Sequence, residues 1–84
     1  MPAFRVEIRV MPRSGILDPQ GQAVTHALQT LGFKDVNGAR VGKHLVLTVD
    51  ALNPGAAESR ARAMCDRLLA NPVTEDYQVA VEPA

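Results

Sequence analysis

The chain has 84 residues, nine of them basic and nine acidic, so its formal net charge is zero. A neutral chain lacks the positive surface that binds nucleic acids or acidic membranes, and no apolar run approaches the roughly 20 residues that span a bilayer. A single cysteine, Cys65, cannot form an internal disulfide, and the charged first residues do not resemble a signal peptide, so we expect a cytoplasmic protein.

The first predicted element is a β-strand. Apolar residues alternate with charged ones from Phe4 to Val10, and a period of two is typical of a half-buried strand. Pro12 ends this strand, because proline cannot donate a hydrogen bond to a sheet.

The next stretch, "GILDPQGQAV" from Gly15 to Val24, predicts the start of a helix. Asp18 is a favourable N-cap and Pro19 suits the first helical position. Gly32 fits the left-handed position after the last turn, with Phe33 folding back on Leu28. A phosphate-binding loop is the alternative, but it requires a Lys-Ser or Lys-Thr pair that does not follow Gly21.

Residues 36–50 predict a β-hairpin whose two-residue turn is Gly42-Lys43. This register pairs Val41 with His44, Ala39 with Val46, and Asn37 with Thr48. A second helix begins at Asn53-Pro54, the same signature of cap and proline. Its predicted apolar stripe comprises Ala57, Ala61, Met64, Cys65 and Leu68. The helix stops at Asn71-Pro72, and Tyr77, Val79 and Val81 alternate as a last strand.

The order β-α-β-β-α-β predicts an α+β fold of the ferredoxin-like type, with a four-stranded antiparallel sheet and both helices on one face. We expect one domain, residues 1–84, with a modest core. The other sheet face combines charged residues with an apolar centre. We therefore predict self-association through that face, using Ala39, Val41, Val46 and Thr48.

No residue pattern predicts a catalytic centre. His26 and His44 have no partner at metal-ligand spacing, and Cys65 lies in an apolar stripe, where a core role is expected. The adjacent Glu75 and Asp76 point to opposite sides of a strand. Arg5, Glu7 and Arg9 favour an internal charge ladder over an anion site. We predict no catalytic residue, no metal and no cofactor. RNA binding is disfavoured, because the sheet face that the helices are predicted to leave uncovered lacks aromatic residues.

Three stretches taken together resemble one known family: "GILDPQGQAVTHALQTLGF", "RVGKHLVLTV" and "MCDRLLANPVTEDYQVAV". In this order and in so short a chain they resemble the PurS family, the small subunit of phosphoribosylformylglycinamidine synthase. The resemblance extends from the first strand to the last.

The resemblance implies a role in an early step of de novo purine synthesis. In that enzyme a glutaminase subunit releases ammonia, and a large synthase subunit uses ATP to make formylglycinamidine ribonucleotide. The small subunit is implied to have no active site of its own. It is a homodimer or a dimer of dimers that bridges the other two subunits and supports ammonia transfer within a glutamine-dependent ligase.

Carried onto this sequence, the family signature implies partner contacts at loop positions, where a scaffold usually presents them. These positions are Asp18, Gln20, Gly21, Lys43, Asn71, Glu75 and Tyr77. Backbone geometry by itself explains several signature residues, whereas no local rule requires Gln20, Lys43 or Glu75. The chain departs from the family pattern at Arg13, where lysine is expected, and at Thr74, where an apolar residue is more usual.

An alternative is an amino-acid-binding regulatory domain of the ACT type, which shares the predicted fold. Such domains often have a glycine and apolar pair before the first helix, like Gly15 and Ile16. The Asp18-Pro19 and Asn71-Pro72 signatures are not part of that pattern. Stabilisation by free amino acids would favour the sensor, and co-purification with a glutaminase and a synthase would favour the bridge.

Overall fold

A computed structural model describes all residues 1–84. The chain forms strand β1 (Ala3–Pro12), helix α1 (Pro19–Thr30), strand β2 (Lys43–Asp50), helix α2 (Pro54–Met64) with a π-helical end (Cys65–Leu69), and strand β3 (Glu75–Pro83). The strands form one antiparallel sheet in the order β2-β1-β3. The α+β class is confirmed. Neither helix has the length and the apolar character that a transmembrane span requires.

The core lies between the sheet and α2. The even-numbered residues of β1 from Phe4 to Val10 are all buried, as their alternation predicts. Ala57, Ala61 and Cys65 of α2 cover them and are fully buried. Half-buried apolar residues of β2, β3 and α2 with its π-helical end pack around this centre: Leu45, Leu47, Ala56, Met64, Leu69, Tyr77, Val79 and Val81.

The predicted hairpin is wrong in its first half. Residues 37–42 form no strand, and β2 pairs with β1 instead, so that His44 faces Arg9, Val46 faces Glu7, and Thr48 faces Arg5. The expected turn needs a positive φ at Gly42, but only Gly15 and Gly32 have one. The sheet consequently has three strands rather than four.

The prediction that both helices cover one sheet face is also wrong. Only α2 covers the core, whereas Gly21 is the one buried residue of α1. Helix α1 and residues 31–42 form an arm beside the sheet, and we use "the arm" for residues 19–42 below. The radius of gyration is 16.4 Å, and the chain measures 51 × 25 × 14 Å. A compact domain of this length has a radius of gyration of about 12 Å.

The local signals for the helix ends are confirmed. Asp18 accepts a hydrogen bond from the Gly21 N–H, and Asn53 accepts one from the Ala56 N–H. At the end of α1, Gly32 has a φ of 105°, and the Phe33 N–H donates to the Leu28 carbonyl. This is the predicted glycine-terminated helix end.

Candidate assembly surfaces

The predicted contact positions of β2 and β3 meet at one end of the sheet. Val10 pairs with Lys43 on one side and with Tyr77 on the other, and Pro12 pairs with Glu75. Antiparallel pairing produces this meeting, because β2 and β3 both begin where β1 ends. We call this region, together with residues 71–77 and the start of α1, the loop end of the sheet. The exposed Lys43 lies at its surface.

Helix α1 begins at the same loop end, where Asp18 holds two segments together. One carboxylate oxygen accepts the Gly21 N–H at 3.0 Å, and the other accepts the Val41 N–H at 2.8 Å. These two bonds hold the pKa of Asp18 below its usual value. Gly21 itself lies so close to the Ala39 carbonyl that a β-carbon would collide with it. Asp18 and Gly21 therefore organise the arm, while Gln20 is exposed.

The loop before β3 is organised by its own polar side chains. The Asn71 N–H donates to Glu75 Oε1 at 2.7 Å, and the Val73 N–H donates to Asn71 Oδ1 at 3.0 Å. Both Asn71 and Glu75 thus have structural roles, and no local sequence pattern predicts that of Glu75. Their roles as partner contacts stay predictions.

Arg13 is a structural residue of the loop end that the sequence reasoning did not identify. Its backbone N–H donates to the Thr74 carbonyl at 2.8 Å, and its guanidinium donates to the Pro72 carbonyl at 2.6 Å. The same guanidinium lies 3.3 Å from an Asp76 carboxylate oxygen. The position of Arg13 in the sequence could have indicated this role, because a residue that follows β1 must lie beside the start of its antiparallel neighbour β3.

Tyr77 connects β3 to α2. Its hydroxyl donates to Asp66 Oδ1 at 2.9 Å, and the Arg62 guanidinium lies 5.8 Å from the centre of its ring. The bond to Asp66 is the main reason why the pKa of Tyr77 is raised. Arg62 also forms an ion pair with Glu58 one turn earlier in α2. Tyr77 is half-buried, so the ring serves the core and only part of it is available to a partner.

Two of the four residues predicted for self-association lie on the open sheet face, the face that α2 does not cover. Val46 and Thr48 are exposed on that face, whereas Ala39 and Val41 lie half-buried in the arm. The charge ladder is present, because the Arg5 guanidinium binds both Glu7 and Glu82. The bond to Arg5 lowers the pKa of Glu7.

The remaining candidate reactive group is Cys65, which is fully buried against the sheet. Burial raises the pKa of its thiol, so that the protonated form is favoured. Local contacts or burial thus explain each of these pKa shifts.

Comparison with known proteins identifies the family. The model of the PurS family, described as phosphoribosylformylglycinamidine (FGAM) synthase, matches residues 5–83. The chain belongs to the PurS family.

Three PurS relatives match this chain over nearly their whole length. The PurS subunit of phosphoribosylformylglycinamidine synthase from Bacillus subtilis is 38% identical over 79 residues, which are 94% of this chain and 93% of the relative. The solved Thermus thermophilus PurS is 42% identical, covers 99% of both chains and has a TM-score of 0.83. A chain in the structure of PurLQS from Thermotoga maritima is 35% identical, has a TM-score of 0.87, and is aligned over 98% of this chain and 100% of its own length.

The family predicted from the three sequence stretches is therefore confirmed, as is the function of a PurS subunit of phosphoribosylformylglycinamidine synthase. The ACT-like alternative is not favoured, because family model, relatives and solved structures all agree on PurS.

Proposed function

We propose that this chain is the non-catalytic small subunit that bridges a glutaminase subunit and a large ATP-dependent synthase subunit, and that it supports ammonia transfer between them in purine synthesis. The single observation that carries the proposal is the near-complete match to a chain in PurLQS from Thermotoga maritima. We propose that residues 1–84 are one PurS-like domain acting in the cytoplasm.

The loop end of the sheet is the proposed surface for these partners. It brings Lys43, Glu75 and Tyr77 together around the last residues of β1. The hydrogen bonds within the 71–76 loop hold this surface in one shape. A pre-organised loop loses little conformational entropy on binding, which favours association. Gln20 and Asn71 extend the same proposed surface, with Asp18 and Gly21 supporting it.

Self-association is the second part of the proposal, as a homodimer or a dimer of dimers. Leu31 and Phe33 are exposed at the far end of the arm and Leu17 just before its first residue, each more than half accessible. In a single copy these side chains have no apolar cover. A second copy that contacts the arm and the open face at Val46 would bury them.

A pull-down with tagged protein from native extract, with glutamine, magnesium and ADP present, tests the bridging function. We expect mass spectrometry to identify one glutaminase and one large ATP-using synthase. Recovery of the tagged protein by itself in several buffers would contradict the bridge.

Lys43→Glu tests the loop end within that assembly. We expect the variant to fold and self-associate normally but to recover less of both partners, since a positive charge on the proposed surface is reversed. Ser59→Glu is the control, because Ser59 is exposed on α2, outside both the loop end and the arm, and gains a negative charge there. Equal recovery by both variants would remove Lys43 from the proposed surface.

A further inference from the structure

The end of α2 departs from α-helical geometry and thereby changes which leucine is buried. The Ala70 N–H donates to the Cys65 carbonyl at 3.0 Å, a bond that spans five residues instead of four. The widened turn holds an additional residue. Leu69 is therefore turned toward the core, while Leu68, which α-helical spacing would bury, is 82% exposed.

Leu68 lies in a shallow groove on the outer side of α2. The groove is lined by Arg60, Ala63, Met64, Arg67 and Leu68. Met64 is half-buried, so the groove has an apolar centre with an arginine on either side along the helix. Residues seven apart in a helix are separated by about 10 Å along its axis. Arg60 and Arg67 are thus spaced by about two helical turns.

Neither arginine of this groove forms an ion pair. The ion pairs of the chain involve Arg5, Arg13 and Arg62. On α2, Glu58 binds Arg62, and Asp66 accepts the Tyr77 hydroxyl. The groove consequently presents two uncompensated positive charges beside an exposed leucine. That combination favours an occupant with carboxylates and an apolar side chain.

We propose that this groove docks an acidic amphipathic segment of a partner subunit. The segment would place an apolar side chain against Met64 and Leu68, between two carboxylates about two helical turns apart that pair with Arg60 and Arg67. A second copy fits less well through its exposed helix, because α1 contains no carboxylate and would leave both arginines unpaired. The inference rests on the proposed bridging function, for which it names a second contact surface away from the loop end.

The test measures assembly of the purified chain with purified glutaminase and synthase subunits by sedimentation velocity at low and high salt. We expect Arg60→Glu, Arg67→Glu and Leu68→Ser each to weaken assembly about tenfold or more, the range typical of central interface residues. Assembly should weaken with salt in the wild type and less so in the arginine variants. Ser59→Glu is the matched control, because Ser59 is exposed on the same helix but does not line the groove. Thermal unfolding and sedimentation of each variant by itself check folding and self-association.

Three results would overturn the inference. If the wild type assembles and all three variants assemble equally well, the groove is not a contact and the bridging function still stands. If the variants change self-association and leave assembly with the partners intact, the groove belongs to contacts between copies. If the wild type does not assemble at all, the bridging function fails, and the inference fails with it.

Discussion

At the scale of single residues, Asp18 shows how one side chain serves two structures. Its carboxylate caps α1 through the Gly21 N–H, as the sequence predicts, and it also binds the Val41 N–H at the returning end of the arm. The second bond joins residues 23 apart, which no local pattern indicates. Ionisation of one residue therefore stabilises both ends of the arm.

The arm should consequently loosen in acid. The pKa of Asp18 is lower in the folded protein than in the unfolded chain, so its stabilisation is complete above the unfolded-state pKa and is lost as pH falls through the folded-state pKa. We expect NMR signals of α1 to change with the Asp18 titration. Asp18→Asn should abolish this dependence. The first turn of α2 is the internal control, because its cap, Asn53, does not titrate and it contains no acidic residue. Unchanged α1 signals through the titration would contradict the assignment.

Gly21 offers a steric test of the same contact. A β-carbon there would meet the Ala39 carbonyl, which is backbone and cannot move aside easily. We expect Gly21→Ala to destabilise the arm by roughly 1–3 kcal/mol, measured as faster hydrogen exchange of α1 amides with β1 unchanged. Gly55→Ala is the matched control, since its β-carbon would meet only Asn53 Oδ1 at 3.4 Å. Equal effects in the two variants would show that the arm does not depend on this close approach.

At the scale of elements, the π-helical end of α2 determines the side chains that meet the sheet. A regular α-helix would extend the stripe of Ala57, Ala61 and Cys65 to Leu68. The wider turn substitutes Leu69 for Leu68 in the core and leaves Leu68 in solvent. A single irregular turn thus supplies both a core residue and the apolar centre of the proposed docking groove.

Alanine substitutions at these two leucines should differ clearly. We expect Leu69→Ala to lower the free energy of unfolding by roughly 1–2 kcal/mol, below the usual cost for a fully buried leucine because Leu69 is half-buried. Leu68→Ala should change it by less than about 0.5 kcal/mol. Chemical denaturation of each isolated variant measures both values. A larger loss for Leu68→Ala would contradict the π-helical arrangement.

At the scale of the whole molecule, the separation of the arm from the core explains the elongated shape. The sheet and α2 form a complete core, but α1 contributes to it no buried apolar side chain. An amphipathic helix that is not covered in its own chain favours association with another. The same pattern of residues is compatible with packing inside one copy or between two.

Serine substitutions in the arm should therefore weaken self-association. Leu31 is 74% and Phe33 is 55% exposed, and we expect Leu31→Ser and Phe33→Ser to weaken the dimer by about tenfold or more, since each removes apolar contact area. Sedimentation equilibrium measures the dissociation constant. Val73→Ser is the control, because Val73 is equally exposed, at 76%, but lies outside the arm. Dimers as strong as those of the wild type would contradict self-association through the arm.

The sequence by itself determined the family, the first strand and three of the helix ends. The caps at Asp18 and Asn53 and the end of α1 at Gly32 depend on bonds between residues close in the chain, so local patterns predict them. The alternation in β1 is predicted because successive side chains of any strand point to opposite faces. Only the tertiary structure decided the position of the arm, the pairing of β2 with β1 in a three-stranded sheet, and the exposure of Leu68. These features depend on which apolar surfaces meet, and residue patterns specify an apolar face without specifying what covers it.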